Sequence, residues 1–119
     1  MTESPHTIGK DQTLDKASEV MREGGIRHLP VLDGGQLLGI VSTRDVYLIE
    51  TLQDVDPAKV TVEEAMSAEP YAVSPDTPLK EVAETMAEHK YGAAVVMEGR
   101  KVVGIFTTVD ACRVLASKL

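Results

Sequence analysis

Leu29-Pro30-Val31-Leu32-Asp33-Gly34-Gly35-Gln36-Leu37-Leu38-Gly39-Ile40-Val41-Ser42-Thr43-Arg44-Asp45 decides the fold. It returns 65 residues later as Ala94-Val95-Val96-Met97-Glu98-Gly99-Arg100-Lys101-Val102-Val103-Gly104-Ile105-Phe106-Thr107-Thr108-Val109-Asp110. Each copy is an apolar run, a glycine-bearing pair, a second apolar run, and then a hydroxyl residue followed three places on by aspartate. Glycine at Gly34-Gly35 and at Gly99 supplies the positive φ that a two-residue hairpin needs. The flanking runs therefore read as paired strands, with Leu37 to Val41 and Lys101 to Phe106 returning. A helix is expected to open near Ser42 and near Thr107.

The same offset holds outward from the motif without a gap. Met1 falls on Met66, Pro5 on Pro70, Asp11 on Asp76, Leu14 on Leu79, Met21 on Met86 and Glu23 on Glu88. Agreement at one fixed spacing marks a duplicated structural unit. Ahead of the hairpin, Leu14, Ala17, Val20 and Met21 recur at helical spacing, as do Leu79, Val82, Ala83 and Met86. The second of these helices is expected to start with Thr77 as N-cap and Pro78 at its first position. The expected organisation is a first repeat over 1–54, a connector over 55–65 and a second repeat over 66–119. Thr61-Val62-Glu63-Glu64 in the connector has the form of a capping box and should open a short helix ending near Met66. The first repeat has no counterpart of that helix, since Met1 already aligns with Met66. An excerpt from a longer protein, a naturally short repeat and a plain initiator methionine all fit.

The 119 residues suit one small domain or two small repeats with a shared core. An apolar fraction of 43% is ample for a core, and 3% aromatic means that Val, Ile, Leu, Ala and Met must fill it. The net charge of −7 disfavours nucleic acid and anionic membrane surfaces as partners. There is no apolar run of spanning length and no secretory signal pattern, so no membrane insertion is expected. One cysteine, Cys112, excludes an intrachain disulfide and suggests a reducing compartment. The expectation is a cytoplasmic protein.

The two quoted stretches closely resemble the CBS motif, and Met66-Ser67-Ala68-Glu69-Pro70 looks like the usual lead into a repeat of that family. The resemblance covers nearly the whole chain. It implies an α/β (α+β) fold, a tandem CBS-domain pair or Bateman module of two pseudo-twofold related β-α-β-β-α repeats. It further implies regulatory ligands such as AMP, ADP, ATP or S-adenosylmethionine rather than a cofactor, a flat homodimer, and a regulated enzyme, channel or transporter as partner. By the same resemblance Thr7-Ile8 and Ala72-Val73 flank an adenine.

The residues themselves offer a chemistry for such a ligand. A helix start carries unpaired N–H groups and partial positive charge, which favour phosphate. Ser42 or Thr107 adds a hydroxyl, and Asp45 or Asp110 accepts from a ribose diol. Gly39 and Gly104 would admit a ligand close to the backbone. Arg27 and His28, before Leu29-Pro30, and Arg44 supply cations in the first repeat; their counterparts are Gly92, Ala93 and Val109. The first cleft should therefore prefer phosphate, with Lys90 and a stacking Tyr91 partly serving the other. The plainer reading also stands: Ser/Thr-x-x-Asp is a good helix cap by itself, and Arg27 and Arg44 suit a solvated face.

His6, His28, His89 and Cys112 share no metal-ligand spacing, and Cys112 reads as a small core residue. No nucleophile and base stand together and no Walker-type loop is present, so the chain is not read as an enzyme. The alternative to a nucleotide sensor is a ligand-free dimerisation and interaction module.

Overall fold

The computed structural model describes residues 2–3 and 5–119. In chain order the elements are β1 (Thr2–Glu3), β2 (Ile8–Gly9), α1 (Leu14–Gly24), β3 (His28–Asp33), β4 (Gln36–Ser42), α2 (Thr43–Glu50), a 3-10 turn (Pro57–Lys59), α3 (Val62–Ala65), β5 (Ala72–Val73), α4 (Leu79–His89), β6 (Ala93–Glu98), β7 (Lys101–Thr107) and α5 (Thr108–Lys118). They form two compact units, His6–Pro70 and Met1–Pro5 with Tyr71–Leu119. The packed units are thus offset from the sequence repeats by the few residues that lead into each repeat.

In the unit His6–Pro70 the sheet order is β2-β3-β4. β2 runs parallel to β3, so α1 serves as the crossover, and β3 and β4 form an antiparallel hairpin. Gly34 (φ 58°) and Gly35 (φ 86°) make its type I′ turn, which only residues tolerant of positive φ can enter cheaply. The register slips between Val31 and Leu32, leaving Leu38 as an extra residue on β4. α1 begins where the Thr13 hydroxyl accepts the Lys16 N–H at 3.2 Å and ends on the left-handed Gly25. Its inward face, Leu14, Ala17 and Met21, packs with Leu29, Val31, Val41 and Val46 in one core.

α3 adds Val62 to that core. Its own capping box joins Thr61 and Glu64, as the spacing predicts. Val62 is fully buried, its N–H donates to Gln12 O at 2.7 Å, and the Leu14 N–H donates to Val60 O at 3.0 Å. Complete burial of a Leu or Val side chain contributes about 1.5–3 kcal/mol, so Leu14 and Val62 together matter more than any exposed ion pair here.

The second unit repeats the plan, with order β1-β7-β6-β5 and the same slip, now between Val96 and Met97. β5 is parallel to β6, and β1 is antiparallel to β7 with Thr2 opposite Ile105. This last contact has its equivalent in the first unit, where Ser67 bridges Ile40. Val82, Met86, Ala94 and Phe106 form the core. α4 starts one residue later than expected. Pro78 is the N-cap, with an extended ψ of 136°, and makes no side-chain cap bond because its ring carries no acceptor. The Thr77 hydroxyl instead accepts the Ser74 N–H at 3.2 Å.

Candidate functional site: two strand-to-helix corners

Each hairpin delivers its returning strand directly into a helix; Arg27 and His28 meet Ser42 and Asp45 at the first such corner and Gly92 and Ala93 meet Thr107 and Thr108 at the second, while Ile8, Ala72 and Val73 lie on the outer strands β2 and β5. In the first unit β4 ends on Ser42, which is extended (φ −122°, ψ 166°) and caps α2. The Ser42 hydroxyl accepts the Asp45 N–H at 3.2 Å, while Asp45 Oδ2 accepts the Ser42 N–H at 2.8 Å and the Ser42 hydroxyl at 3.0 Å. Thr107 and Asp110 reproduce the arrangement at the head of α5, with distances of 3.3, 2.8 and 3.1 Å. Both aspartates are half-buried. The cap reading of Ser/Thr-x-x-Asp is therefore a structural fact in both units. It leaves Oδ1 of each acid, and one lone pair of each hydroxyl, for a donor from outside.

The helix amides are more committed than the sequence suggests. Thr43 N–H donates to Arg27 O at 3.0 Å, and Asp45 N–H is taken by the cap, so the first-turn donor left for a ligand is that of Arg44. In the second unit Thr108 N–H donates to Gly92 O at 3.1 Å, which leaves Val109 in the same position. A phosphate at either corner would meet one amide rather than a nest of them, so added cations decide how well it is held.

Arg27, His28 and Arg44 belong to the first corner, whereas at the second Lys90 borders a groove with Gly92 and Thr108. His28 lies opposite Ser42 across the hairpin, where the second unit has Ala93 opposite Thr107. Burial pushes the His28 imidazole below its usual pKa; nearby Asp45 pulls the other way and Arg27 adds to the depression. His28 is thus held towards the neutral form, and a bound anion would draw a proton onto it. Arg27 and Arg44 are exposed, and among the described residues neither lies within ion-pair distance of a carboxylate. Leu29 and Pro30 are buried in β3. Ile8 is buried at the edge of the sheet beside Val31, with Thr7 exposed before it.

In the second unit Ala72 and Val73 pair with Val95 and Val96, and Val95 N–H donates to Tyr71 O at 2.8 Å. Tyr91 stacks on Tyr71 (centroids 5.3 Å) and on His89 (5.2 Å). Its ring is 38% exposed, so a base stacking there would compete with two protein rings. Tyr71 and His89 escaped the sequence reading because nothing in their spacing shows that they meet Tyr91. Behind Gly92 and Thr108 a largely apolar groove of about 420 Å³ opens between α4 and α5, bordered by Met86, Lys90, Ala111 and Cys112.

Two expectations are corrected. Cys112 is exposed on the groove rather than placed in the core, because α5 buries none of its residues. Gly39 does serve a close approach, but to the chain itself: a Cβ there would sit 2.5 Å from the Ser67 carbonyl oxygen and from Met66 Sδ. Among the described residues no cluster of three His, Cys, Asp or Glu could hold a metal ion, and no helix is long and apolar enough to cross a membrane.

The duplicated hairpin-to-helix unit carries the decisive match: the CBS domain family model fits residues 1–49 and again 62–117. The chain belongs to the CBS domain family. It is a tandem CBS pair. Inosine-5'-monophosphate dehydrogenase of Korarchaeum cryptofilum is 33% identical over 105 residues; the match takes in 87% of this CBS pair but 21% of that enzyme. The CBS domain-containing protein YhcV of Bacillus subtilis is 29% identical over 110 residues, covering 92% of this chain and 78% of YhcV. Among solved structures, AcuB of Vibrio cholerae superposes with TM-score 0.88 at 34% identity over 99% of this chain and 87% of its own. The CBS pair of MJ0100, in complex with 5'-methylthioadenosine and S-adenosyl-L-methionine, gives 0.86 at 26% identity over 99% and 94%. CBSX2 in complex with AMP gives 0.86 at 25% identity over 99% and 94%.

Proposed function

We propose that this CBS pair is a regulatory module that binds an adenosine-containing molecule (AMP, ADP, ATP or S-adenosylmethionine) and signals its occupancy to an enzyme or transporter partner. It performs no reaction of its own and works in the cytoplasm, where such ligands are abundant. The observation that carries the reading is the matched pair Ser42/Asp45 and Thr107/Asp110, each with a carboxylate oxygen left over for a ribose hydroxyl. Two structurally similar CBS proteins hold adenosine-containing ligands, which supports that choice of chemistry. Thr7, Ile8, Leu29, Pro30, Ala72, Val73, Gly92 and Ala93 would offer main-chain groups to the base. Arg27, Arg44 and His28 would hold phosphate at the first corner, so a charged nucleotide should prefer it to the Tyr91 side. Signalling needs only that the ligand bind one state of the module better than another.

Calorimetric titration with AMP, ATP and S-adenosylmethionine tests this directly. Heat and a thermal shift with at least one of them are expected; none at millimolar concentration would reject the reading. Ser42→Ala and Asp45→Asn separate grip from cap. Both weaken the cap; Ser42→Ala loses a neutral contact and should cost a few-fold in affinity, whereas Asp45→Asn should cost roughly tenfold or more, as loss of a charge-assisted hydrogen bond does. Equal losses would reduce Asp45 to a capping residue.

A second reading has its own support. α5 exposes Val109, Val114 and Leu115, an unusual apolar load for a terminal helix, and this favours a homodimer or interaction module without a small ligand. Sedimentation of the unliganded chain would show a dimer if that is its work.

A further inference from the structure

The hairpin register places an imidazole at the first corner and a methyl group at the second. His28 opposes Ser42, and the bond from Thr43 N–H to Arg27 O (3.0 Å) closes the ladder just beyond them. Bonded and non-bonded pairs alternate along an antiparallel ladder. His28 and Ser42 are therefore a non-bonded pair, the kind whose side chains stand closest on one face of the sheet. The Ser42 N–H agrees: it leaves the ladder and donates to Asp45 Oδ2 at 2.8 Å. The imidazole thus shares its side of the hairpin with the Ser42 hydroxyl and the Asp45 carboxylate. The charged residues of this corner are Arg27 on the approach to β3 and Arg44 and Asp45 in the first turn of α2. In the second unit Ala93, 7% exposed, opposes Thr107, and Gly92 and Val109 replace Arg27 and Arg44. The cap and its spare carboxylate oxygen are common to both corners; the titratable ring at this position is not.

Half-burial disfavours a charge on His28 and Arg27 adds to that, while Asp45 favours it without outweighing them. In the free chain the ring is therefore neutral at pH 7, with one nitrogen able only to accept. A phosphate monoester reverses the balance. It carries about −1.5 to −2 charges at pH 7 and three acceptor oxygens. Held by Arg27, Arg44 and the uncommitted Arg44 N–H, it would stand beside the Ser42 end of α2, where the imidazole already is. We propose that the first corner takes up a phosphate-bearing nucleoside together with a proton, which passes from solvent onto the free ring nitrogen of His28 and turns it into a donor to the phosphate. The inference rests on the adenosine-binding reading above and adds its regulation. Occupancy of this corner by a phosphorylated ligand falls as pH rises, while an unphosphorylated adenosine derivative binds without a proton. Ala93 cannot do the same at the second corner. The module weighs phosphorylated against unphosphorylated ligand according to pH, through one side chain that the duplication does not share.

Calorimetry on the intact chain tests it, with AMP and adenosine as the two probes. Both are titrated at pH 7.0, where the phosphate is already mostly dianionic, in two buffers of different ionisation enthalpy. AMP should draw up to one proton from the buffer and adenosine none. From pH 8.0 to 7.0 the AMP affinity should rise by about threefold to tenfold, tenfold being the ceiling for one proton, and the adenosine affinity should stay level. The ring nitrogen signals of His28 in NMR should change from the neutral to the protonated pattern when AMP is added at pH 7.0, and should stay neutral with adenosine. His28→Gln should abolish the proton uptake and flatten the pH dependence of whatever AMP binding is left. AMP binding without proton uptake, uptake that survives in His28→Gln, or equal uptake with adenosine overturns the proposal and leaves the adenosine-binding reading standing. Absence of heat with both AMP and adenosine overturns the two together.

Discussion

Gly39→Ala is the sharpest test of how the first unit is held together. The new Cβ would stand 2.5 Å from both Met66 Sδ and Ser67 O and 3.1 Å from Met66 Cγ. The thioether can swing aside, since Met adapts readily. The Ser67 carbonyl cannot move alone. It accepts from Ile40 N–H at 3.0 Å, and Ser67 N–H returns a bond to Ile40 O at 2.9 Å. Relieving the clash therefore stretches both bonds. Two such bonds contribute about 1 kcal/mol each, and overpacking adds about 1–3 kcal/mol. Reduced freedom of the unfolded chain returns up to about 1 kcal/mol. The net expectation is about 2–4 kcal/mol of destabilisation, a fall of about 1–2 M in the urea midpoint for an m of about 2 kcal/mol/M. Urea titration by circular dichroism measures it, and faster exchange of the Ile40 and Ser67 amides locates it. Gly9→Ala is the control: no atom lies within 4 Å of its would-be Cβ, and the change should stay within about 0.5 kcal/mol. A midpoint for Gly39→Ala as close to the parent as the control's would refute the argument.

The remaining predictions address turn, cap and charge. Gly34→Ala meets nothing within 4 Å but must hold φ 58°, so about 1–2 kcal/mol should be lost from backbone strain alone, read by urea titration. Thr107→Ala should cost about 1 kcal/mol through the lost cap at α5 and leave the first unit's amide exchange unchanged. His28 is depressed in the folded state by burial, so the unfolded chain binds its proton first as pH falls. Stability from this group is complete above the ordinary pKa of 6.5 and declines as pH falls from there through the lower folded value. Urea midpoints of the parent and His28→Gln at pH 7.5, 6.5 and 5.5 should then diverge in slope, and parallel curves would contradict it.

Much of the architecture was legible because its causes lie within a few residues of one another. Alternating apolar runs around Gly34-Gly35 and Gly99, the periodic Leu14, Ala17 and Met21, and the acid three places after Ser42, Thr61 or Thr107 each specify a local conformation. The capping boxes stand where the spacing put them. Grouping of Arg27 and His28 with Ser42 and Asp45 was likewise implied by the hairpin register. The roles of those residues towards a ligand are a matter for titration.

Sequence alone determined the duplication, the hairpins, the capped starts of α2, α3 and α5 and the family, since short-range sterics and hydrogen bonds act the same way wherever a pattern recurs; the start of α4 it placed one residue early. Tertiary structure alone decided that Gly39 makes room for Ser67, that Tyr91 stacks between protein rings, that Cys112 faces out, and that one leucine of an identical pair is sealed while the other is open. Leu14 and Leu79 share residue type and repeat position, yet burial depends on which distant segment crosses above. That is a property of the chain's path, and a local pattern cannot carry it.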